Sequence, residues 1–323
     1  MSHAPIVTVT LNPALDVAAD SPVPVVAGPK LRLGPPRMDP GGGGVNVARA
    51  IHRLGAEALP AVALAGPTGD RVAALLRQEG LNPHPLPAPG ETRQCLTVTE
   101  RATGQQFRFV LPGDSWQPDD EARAMEVLAA LATPESVVVL SGSQPPGVAE
   151  DFPARLARAL RDARLIVDTS GTALQRLVEV PTTDAPYLLR MDEAEAEALA
   201  GGALKHAADT VEFAQALVAR GVAQVVVVAR GADGSVLAHS GDTLHCVPPR
   251  VEVDSKVGAG DSFTGALALA LARGEPVADA LRLGVAAAAA AVMTPATELF
   301  RMADVERILP LCEVRPGRGR RDG

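Results

Sequence analysis

Residues 136–142 read SVVVLSG. Four consecutive apolar residues, three of them β-branched, are too few for a helix and show no alternation. Such a run forms a strand when both of its faces are covered, as inside a parallel sheet flanked by helices. The pattern recurs at 5–11 (PIVTVTL), 164–170 (RLIVDTS), 185–190 (APYLLR) and 224–230 (QVVVVAR). Helical stretches lie between these runs. GVNVARAIHRLG (44–55) spaces its apolar residues three to four apart and stops at Gly55; GDRVAALLRQEG (69–80) stops at Gly80 in the same way. DDEARAMEVLAALA (119–132) opens with acids in its first turn. Glycine at a helix end and carboxylates at its start are stop and start signals. The alternation predicts an α/β fold, a doubly wound, mostly parallel sheet sandwiched by helices, in a single domain over residues 1–323.

Two segments break the alternation. Residues 14–38 are rich in proline and glycine and poor in helical pattern. Residues 92–111 read as two strands around a turn at RATG, with Phe107, Phe109 and Leu111 on one side and Arg108 on the other. Alternation implies one covered and one exposed face. Together the segments predict a small β-sheet lid standing off the main sheet.

Composition narrows the function. Aromatics are only 2% of the 323 residues, so Ala, Leu and Val must build the core. The net charge of −8 argues against a nucleic-acid partner, which calls for a basic footprint, but a few local arginines can still bind a phosphate. Cys95, Cys246 and Cys312 have no metal-like spacing and fit a reducing, cytoplasmic location. The start MSHAPIVTVTLNP lacks the pattern of a signal peptide. LGVAAAAAAVM (283–293) is too short to span a bilayer and reads as a close-packed core helix, so no membrane partner is expected. The basic tail RPGRGRRDG (315–323) reads as a frayed end. His3, His52, His84, His206, His239 and His245 are scattered, with no zinc cluster.

Four stretches bear on chemistry. PGGGGVNVARA (40–50) leads four glycines into a helix, which lets a ligand approach the main chain or simply makes a flexible loop. Asn46 in its first turn could offer an amide to a sugar hydroxyl. VTLNPALD (9–16) delivers Asp16 just beyond a strand end, where it suits either a polyol or a turn cap. SGSQPPG (141–147) makes a rigid turn at another strand end. VGAGDSF (257–263) opens a helix with amides of Gly258, Ala259 and Gly260 beside Asp261. Those amides could hold a transferring phosphoryl group while the carboxylate takes a proton from the attacking hydroxyl. A plain helix cap is the alternative. Lys30, Arg32, Arg93 and Arg108 fall in the lid segments and suit a phosphate. No GxxxxGK[ST] loop occurs, and GAGD lacks the spacing of a dinucleotide fingerprint.

Taken together and in this order, these stretches resemble the ribokinase-like sugar kinases of the PfkB family, nearly end to end. GGGGVNVARAIHRLG and VGAGDSFTGALALAL look like its two signatures. KLRLGPP, TRQCLTV, GQQFRFVLPG and SGSQPPGV are similar to its minor bacterial 6-phosphofructokinase branch. The resemblance implies ATP-Mg²⁺-dependent transfer to the 1-hydroxyl of fructose 6-phosphate, with Asp261 as base and the Gly258–Gly260 amides as anion hole. Kinases for fructose 1-phosphate or tagatose 6-phosphate are the alternatives. It assigns sugar recognition to Asp16, Gly42, Gly43, Asn46 and Ser141, and the substrate phosphate to Lys30, Arg32, Arg93 and Arg108. Nucleotide contacts fall to Arg190, Asp192, Arg230, Gly231, Gly234 and Lys256 with Gly258 and Gly260, and magnesium to Asp192 and Glu195. It also implies a homodimer through the lid. The chain departs from the family pattern on the nucleotide side. RMDEAE (190–195) stands where the family has Lys-Pro-Asn-x-x-Glu, Lys256 replaces a Thr or Ser, and VMTPATELF (292–300) replaces a more polar loop. These changes raise a third expectation, a sugar-phosphate-binding protein with weakened kinase activity.

Overall fold

The SVVVLSG run lies in the interior of a ten-stranded sheet in the computed structural model, which describes residues 3–295 and 298–319. The strands are β1 (Ile6–Thr10), β2 (Ala14–Ser21), β3 (Arg37–Gly41), β4 (Leu59–Val62), β5 (His84–Pro85), β6 (Arg93–Glu100), β7 (Gln106–Val110) and β8 (Val137–Ser141). They continue with β9 (Arg164–Asp168), β10 (Leu188–Asp192), β11 (Val225–Ala229), β12 (Ser235–His239), β13 (Asp242–Val247) and β14 (Glu313–Pro316). The helices are α1 (Gly43–Arg53), α2 (Gly66–Gln78), α3 (Pro118–Leu131), α4 (Phe152–Ala159) and α5 (Gly171–Glu179). α6 (Glu193–Ala200), α7 (Ala207–Ala219), α8 (Ala259–Ala272), α9 (Val277–Ala291) and α10 (Met302–Ile308) complete the set.

The main sheet runs β14-β13-β12-β11-β10-β9-β8-β1-β4-β5, parallel from β11 to β5 and antiparallel across β11 to β14. Both faces are buried, as the unbroken apolar runs require. Val137 and Val139 pack with Val47 and Ile51 of α1, Leu267 of α8 and Leu281 of α9. Val138 and Leu140 point the other way, into a layer with Leu128 of α3, Phe152 of α4 and Leu177 of α5. The Ala-rich stretch forms most of α9, buried as expected, and small residues let α8 and α9 approach closely.

Some expectations shift. The strand expected at 185–190 begins only at Leu188 and runs to Asp192, because Pro186 brings no amide N–H to the ladder. The antiparallel extension β12 to β14 had no strong run to announce it. Arg315 and Pro316, read as part of a frayed end, close β14 against β13, while 320–323 lie outside the described residues.

A second sheet, ordered β3-β2-β6-β7, forms the lid from both segments that broke the alternation. Leu15 anchors its base on Val45 and Ala48 of α1 and Leu76 of α2. The outer strand differs from its reading. Phe109 is 51% exposed, and Val110 and Leu111 are more so, since nothing among the described residues covers that edge. No helix of the described residues is long and apolar enough to cross a membrane.

Candidate active site

The order of the main sheet reverses at β1. The chain leaves β1 for β4 and β5 on one side, then returns to β8 on the other. The carboxyl ends of β1 and β8 therefore border a crevice at a topological switch point, where α/β proteins bind ligands. The glycine run enters this crevice and is packed, so the flexible-loop alternative fails. Gly42 takes φ 123°, closed to most side chains, as α1 begins. A Cβ on Gly43 would come within 2.5 Å of the Ser141 hydroxyl, and one on Gly41 would run into the Asp16 carboxylate. Glycine there lets Asp16, Ser141 and the start of α1 converge.

A cleft of about 530 Å³ opens between this point and the lid, lined by Asp16, Gly42, Arg93, Cys95 and Arg108 and reaching Val257 before α8. Burial pushes the Asp16 carboxyl up; Arg93, Arg108 and Arg49 oppose that effect, while Asp39 reinforces it. Positive charge thus stands near the carboxylate, as a site for a hydroxylated anion requires.

Asp261 sits in the first turn of α8. Gly258 caps this helix at φ 78°. The Asn46 side-chain amide donates to Asp261 Oδ2 at 2.9 Å, and Ser141 is a second hydrogen-bonding partner. Desolvation, with the nearby negative charge of Asp168, raises Asp261 from 3.8 to about 7 against the pull of Asn46, Arg190 and Ser141. A carboxylate held near neutrality is suited to general-base work. The first amides of a helix lack intrahelical acceptors and point at an incoming anion. The Ala259 amide is drawn back to the Lys256 carbonyl at 3.4 Å, so the exposed donors shift to Gly260 and Asp261.

Behind this turn lies a network the sequence did not announce. Asp168, at the end of β9, accepts from Arg190 at 3.1 Å and from Thr264 of α8 at 2.7 Å. Burial acts to discharge Arg190, but Asp168, with Glu195 and Asp261, outweighs it and the net shift is upward. The guanidinium lies beside Gly260, where a Cβ would stand 3.0 Å from one of its nitrogens. Its Nε has no hydrogen-bond partner among the described residues. Arg190 is therefore a cation beside the glycine turn that opens α8. The strand-end rule that singled out Asp16 applies equally to Asp168. Arg49 was also missed, although its i+3 spacing puts it on the same face of α1 as Asn46.

Asp192 and Glu195 form a reciprocal capping box at the start of α6: each side chain accepts from the other's backbone amide, at 2.9 and 2.8 Å. Burial pushes the Glu195 carboxyl up, and the charges of Asp192 and Asp168 push the same way. No group of three or more potential ligands among the described residues is arranged to hold a metal by itself. Mg²⁺ beside a nucleotide needs only one or two carboxylates plus phosphate oxygens. Asp192 and Glu195 each keep a second carboxylate oxygen outside the capping box, so the donors present fit that ion.

Other expected residues fall elsewhere. Arg230 is 4% exposed and donates to the Leu204 carbonyl at 2.9 Å, to Thr210 and to Lys205, with Glu193 at 3.4 Å. Its guanidinium ties the α6–α7 connection to β11, which corrects its assignment to the nucleotide. Gly231 and Gly234 bound the turn after β11, and a Cβ on Gly234 would collide with the Cys246 carbonyl; this glycine serves packing. Lys30 and Arg32 are exposed on the connection between β2 and β3 and do not line the cleft; Arg37 lines it instead. Arg93 lines it too, but donates to the carbonyls of Asn12 and Leu111, linking lid to body. Lys256 is exposed before α8, and its side chain pairs with no described residue.

Comparison with known proteins meets this geometry from another side. The family model for pfkB family carbohydrate kinases matches residues 10–301. The ATP-dependent 6-phosphofructokinase isozyme 2 of Mycobacterium tuberculosis is 38% identical over 310 residues, covering 95% of this chain and 89% of that protein. Its Escherichia coli namesake is 37% identical over 94% of this chain and 97% of its own. A 1-phosphofructokinase of Xanthomonas campestris is 31% identical over 98% and 92%. The crystal structure of Escherichia coli phosphofructokinase-2 in complex with potassium is similar with a TM-score of 0.89 at 36% identity, over 95% of this chain and 99% of that one. Its complex with fructose-6-phosphate gives 0.86 at 35%, with the same coverage. The chain thus belongs to the pfkB family of carbohydrate kinases.

Proposed function

We propose that this protein is an ATP-dependent 6-phosphofructokinase, which moves the γ-phosphoryl group of ATP to the 1-hydroxyl of fructose 6-phosphate. The observation that carries the reading is Asp261: a carboxylate raised to about 7, fixed by Asn46, in the first turn of a helix whose leading amides are free for an anion. In this reading the sugar lies over Asp16, Gly42, Gly43, Asn46 and Ser141, and its phosphate meets Arg108 and Arg93. Asp261 takes the proton of the 1-hydroxyl as that oxygen bonds to the γ-phosphorus. The bond to the bridging oxygen breaks, ADP leaves with that electron pair, and Asp261 later releases its proton. Gly260 and Asp261 amides and Arg190 face the charge that builds on the transferring group. Mg²⁺, held through Asp192 and Glu195, would supply neutralisation of the nucleotide phosphates.

The greater identity to the 6-phosphofructokinases than to the 1-phosphofructokinase supports the choice of sugar. A coupled assay with a panel of fructose 6-phosphate, fructose 1-phosphate and tagatose 6-phosphate separates the alternatives by kcat/KM. Calorimetry that finds fructose 6-phosphate binding without ATP-Mg²⁺ binding would support a non-catalytic binder instead. We further propose that a second copy covers the exposed apolar edge at Phe109, Val110 and Leu111, giving a lid-to-lid homodimer.

A further inference from the structure

We propose that Arg49, clamped by Glu79, is a positioning residue that locks the Asn46 side chain with its amino group turned to Asp261. The proposal rests on the kinase reading of Asp261 and adds a role for two residues behind it. Asn46 has two similar ends. If its oxygen faced Asp261, two acceptors would meet. Its orientation is set from behind: Arg49 Nη1 donates to Asn46 Oδ1 at 3.2 Å, which leaves Nδ2 to donate to Asp261 at 2.9 Å. Arg49 is in turn held by a two-pronged pair, Nε and Nη2 to the Glu79 carboxylate at 2.7 and 2.9 Å. Its side chain is 5% exposed, although it carries a charge. A buried arginine is costly unless its donors are matched. Here three are matched, one of them to the residue that touches the base.

The chain Glu79–Arg49–Asn46–Asp261 runs from the end of α2 through α1 to the start of α8. Charged groups facing its members are Asp168 of β9 and Arg190 of β10 at Asp261, and Asp16 of β2 at Arg49. Lysine at 49 would keep the charge but not the fork, because an ammonium cannot bridge Glu79 and Asn46 in one plane. Released from Arg49, Asn46 rotates, Asp261 loses a donor, and its proton is held more tightly.

Arg49→Lys, Arg49→Met and Glu79→Gln test the lock. In Arg49→Met, kcat should fall about tenfold, with KM for the sugar changing less than about threefold. The acid limb of the kcat–pH profile should move up by about half a unit or more. In an Asn46→Ala background the same substitution should cost less than about twofold, because its target is gone. An unmoved pH profile, a loss confined to KM, or full additivity with Asn46→Ala would overturn the proposal. Glu79→Gln, at a one-third exposed position, should give a smaller shift of the same sign if Arg49→Met does not fold. A carbon-13 NMR titration of Asp261 needs no turnover. It should show the upward shift in the arginine variants even if the choice of substrate is wrong, and an unchanged titration there would also overturn the proposal.

Discussion

Replacing Asp261 with Asn should make the protein more stable while removing its activity. The free carboxylate titrates at 3.8, and in the folded chain burial and Asp168 raise it to about 7. The folded state therefore holds the proton more tightly than the unfolded state. The sign follows: stability falls as pH rises between about 4 and 7, and above 7 the full penalty is present. At 1.36 kcal/mol per unit, a shift of about three units sets a ceiling of about 4 kcal/mol. Asp261 is not fully buried and can relax toward solvent, so about 2 kcal/mol is the working expectation. Asparagine keeps the shape and carries no charge, so it removes this penalty. For a chain of this size, at about 2.1 cal/mol/K of unfolding entropy per residue, the gain corresponds to a rise in Tm of roughly 3 °C at pH 8. Scanning calorimetry of both proteins without ligand at pH 5 and pH 8 measures it. The difference should be largest at pH 8 and shrink toward pH 5, and kcat should drop by about 10²–10⁴. Equal or lower stability of Asp261→Asn at pH 8, or a difference independent of pH, would refute the argument that burial strains this carboxylate.

Three more perturbations address other parts of the site. Gly260→Ala should push the Arg190 guanidinium, 3.0 Å from the new methyl, off the anion-binding turn and lower kcat about tenfold or more; unchanged kcat would exclude a role for Arg190 there. Arg108→Ala should raise KM for the sugar phosphate about tenfold with kcat little changed, as measured by steady-state kinetics, since its charge faces Asp16 and the cleft. Phe109→Asp, at a position already 51% exposed, should leave the thermal midpoint nearly unchanged but shift sedimentation from dimer to monomer; a persistent dimer places the interface elsewhere.

The parallel half of the sheet was legible because runs such as SVVVLSG and QVVVVAR cannot be covered on two faces in any other common architecture. The antiparallel strands β12 to β14 were not, since strands at the end of a sheet need no such continuity. Alternation at Phe107 and Phe109 announced the lid, but not what covers it, because one chain does not contain the answer. Asp261, Asn46, Asp16 and Ser141 were legible from their places at helix starts and strand ends. Asp168 and Arg49 acquire their roles from partners far away in the chain: Thr264 is 96 residues from Asp168, and Glu79 is 30 from Arg49. No local spacing encodes such pairs. Arg230 follows a strand end, the place where α/β proteins carry ligand-binding residues, yet folding turns its side chain beneath the α6–α7 connection.

Initial rates with ATP-Mg²⁺ across the three sugar phosphates test the proposed chemistry most directly. Fructose 6-phosphate should be turned over with kcat/KM of about 10⁴ M⁻¹s⁻¹ or higher, at least about tenfold above fructose 1-phosphate and tagatose 6-phosphate. The product should be fructose 1,6-bisphosphate, with one ADP formed per sugar. Absence of turnover with fructose 6-phosphate, or a preference for fructose 1-phosphate, would contradict it.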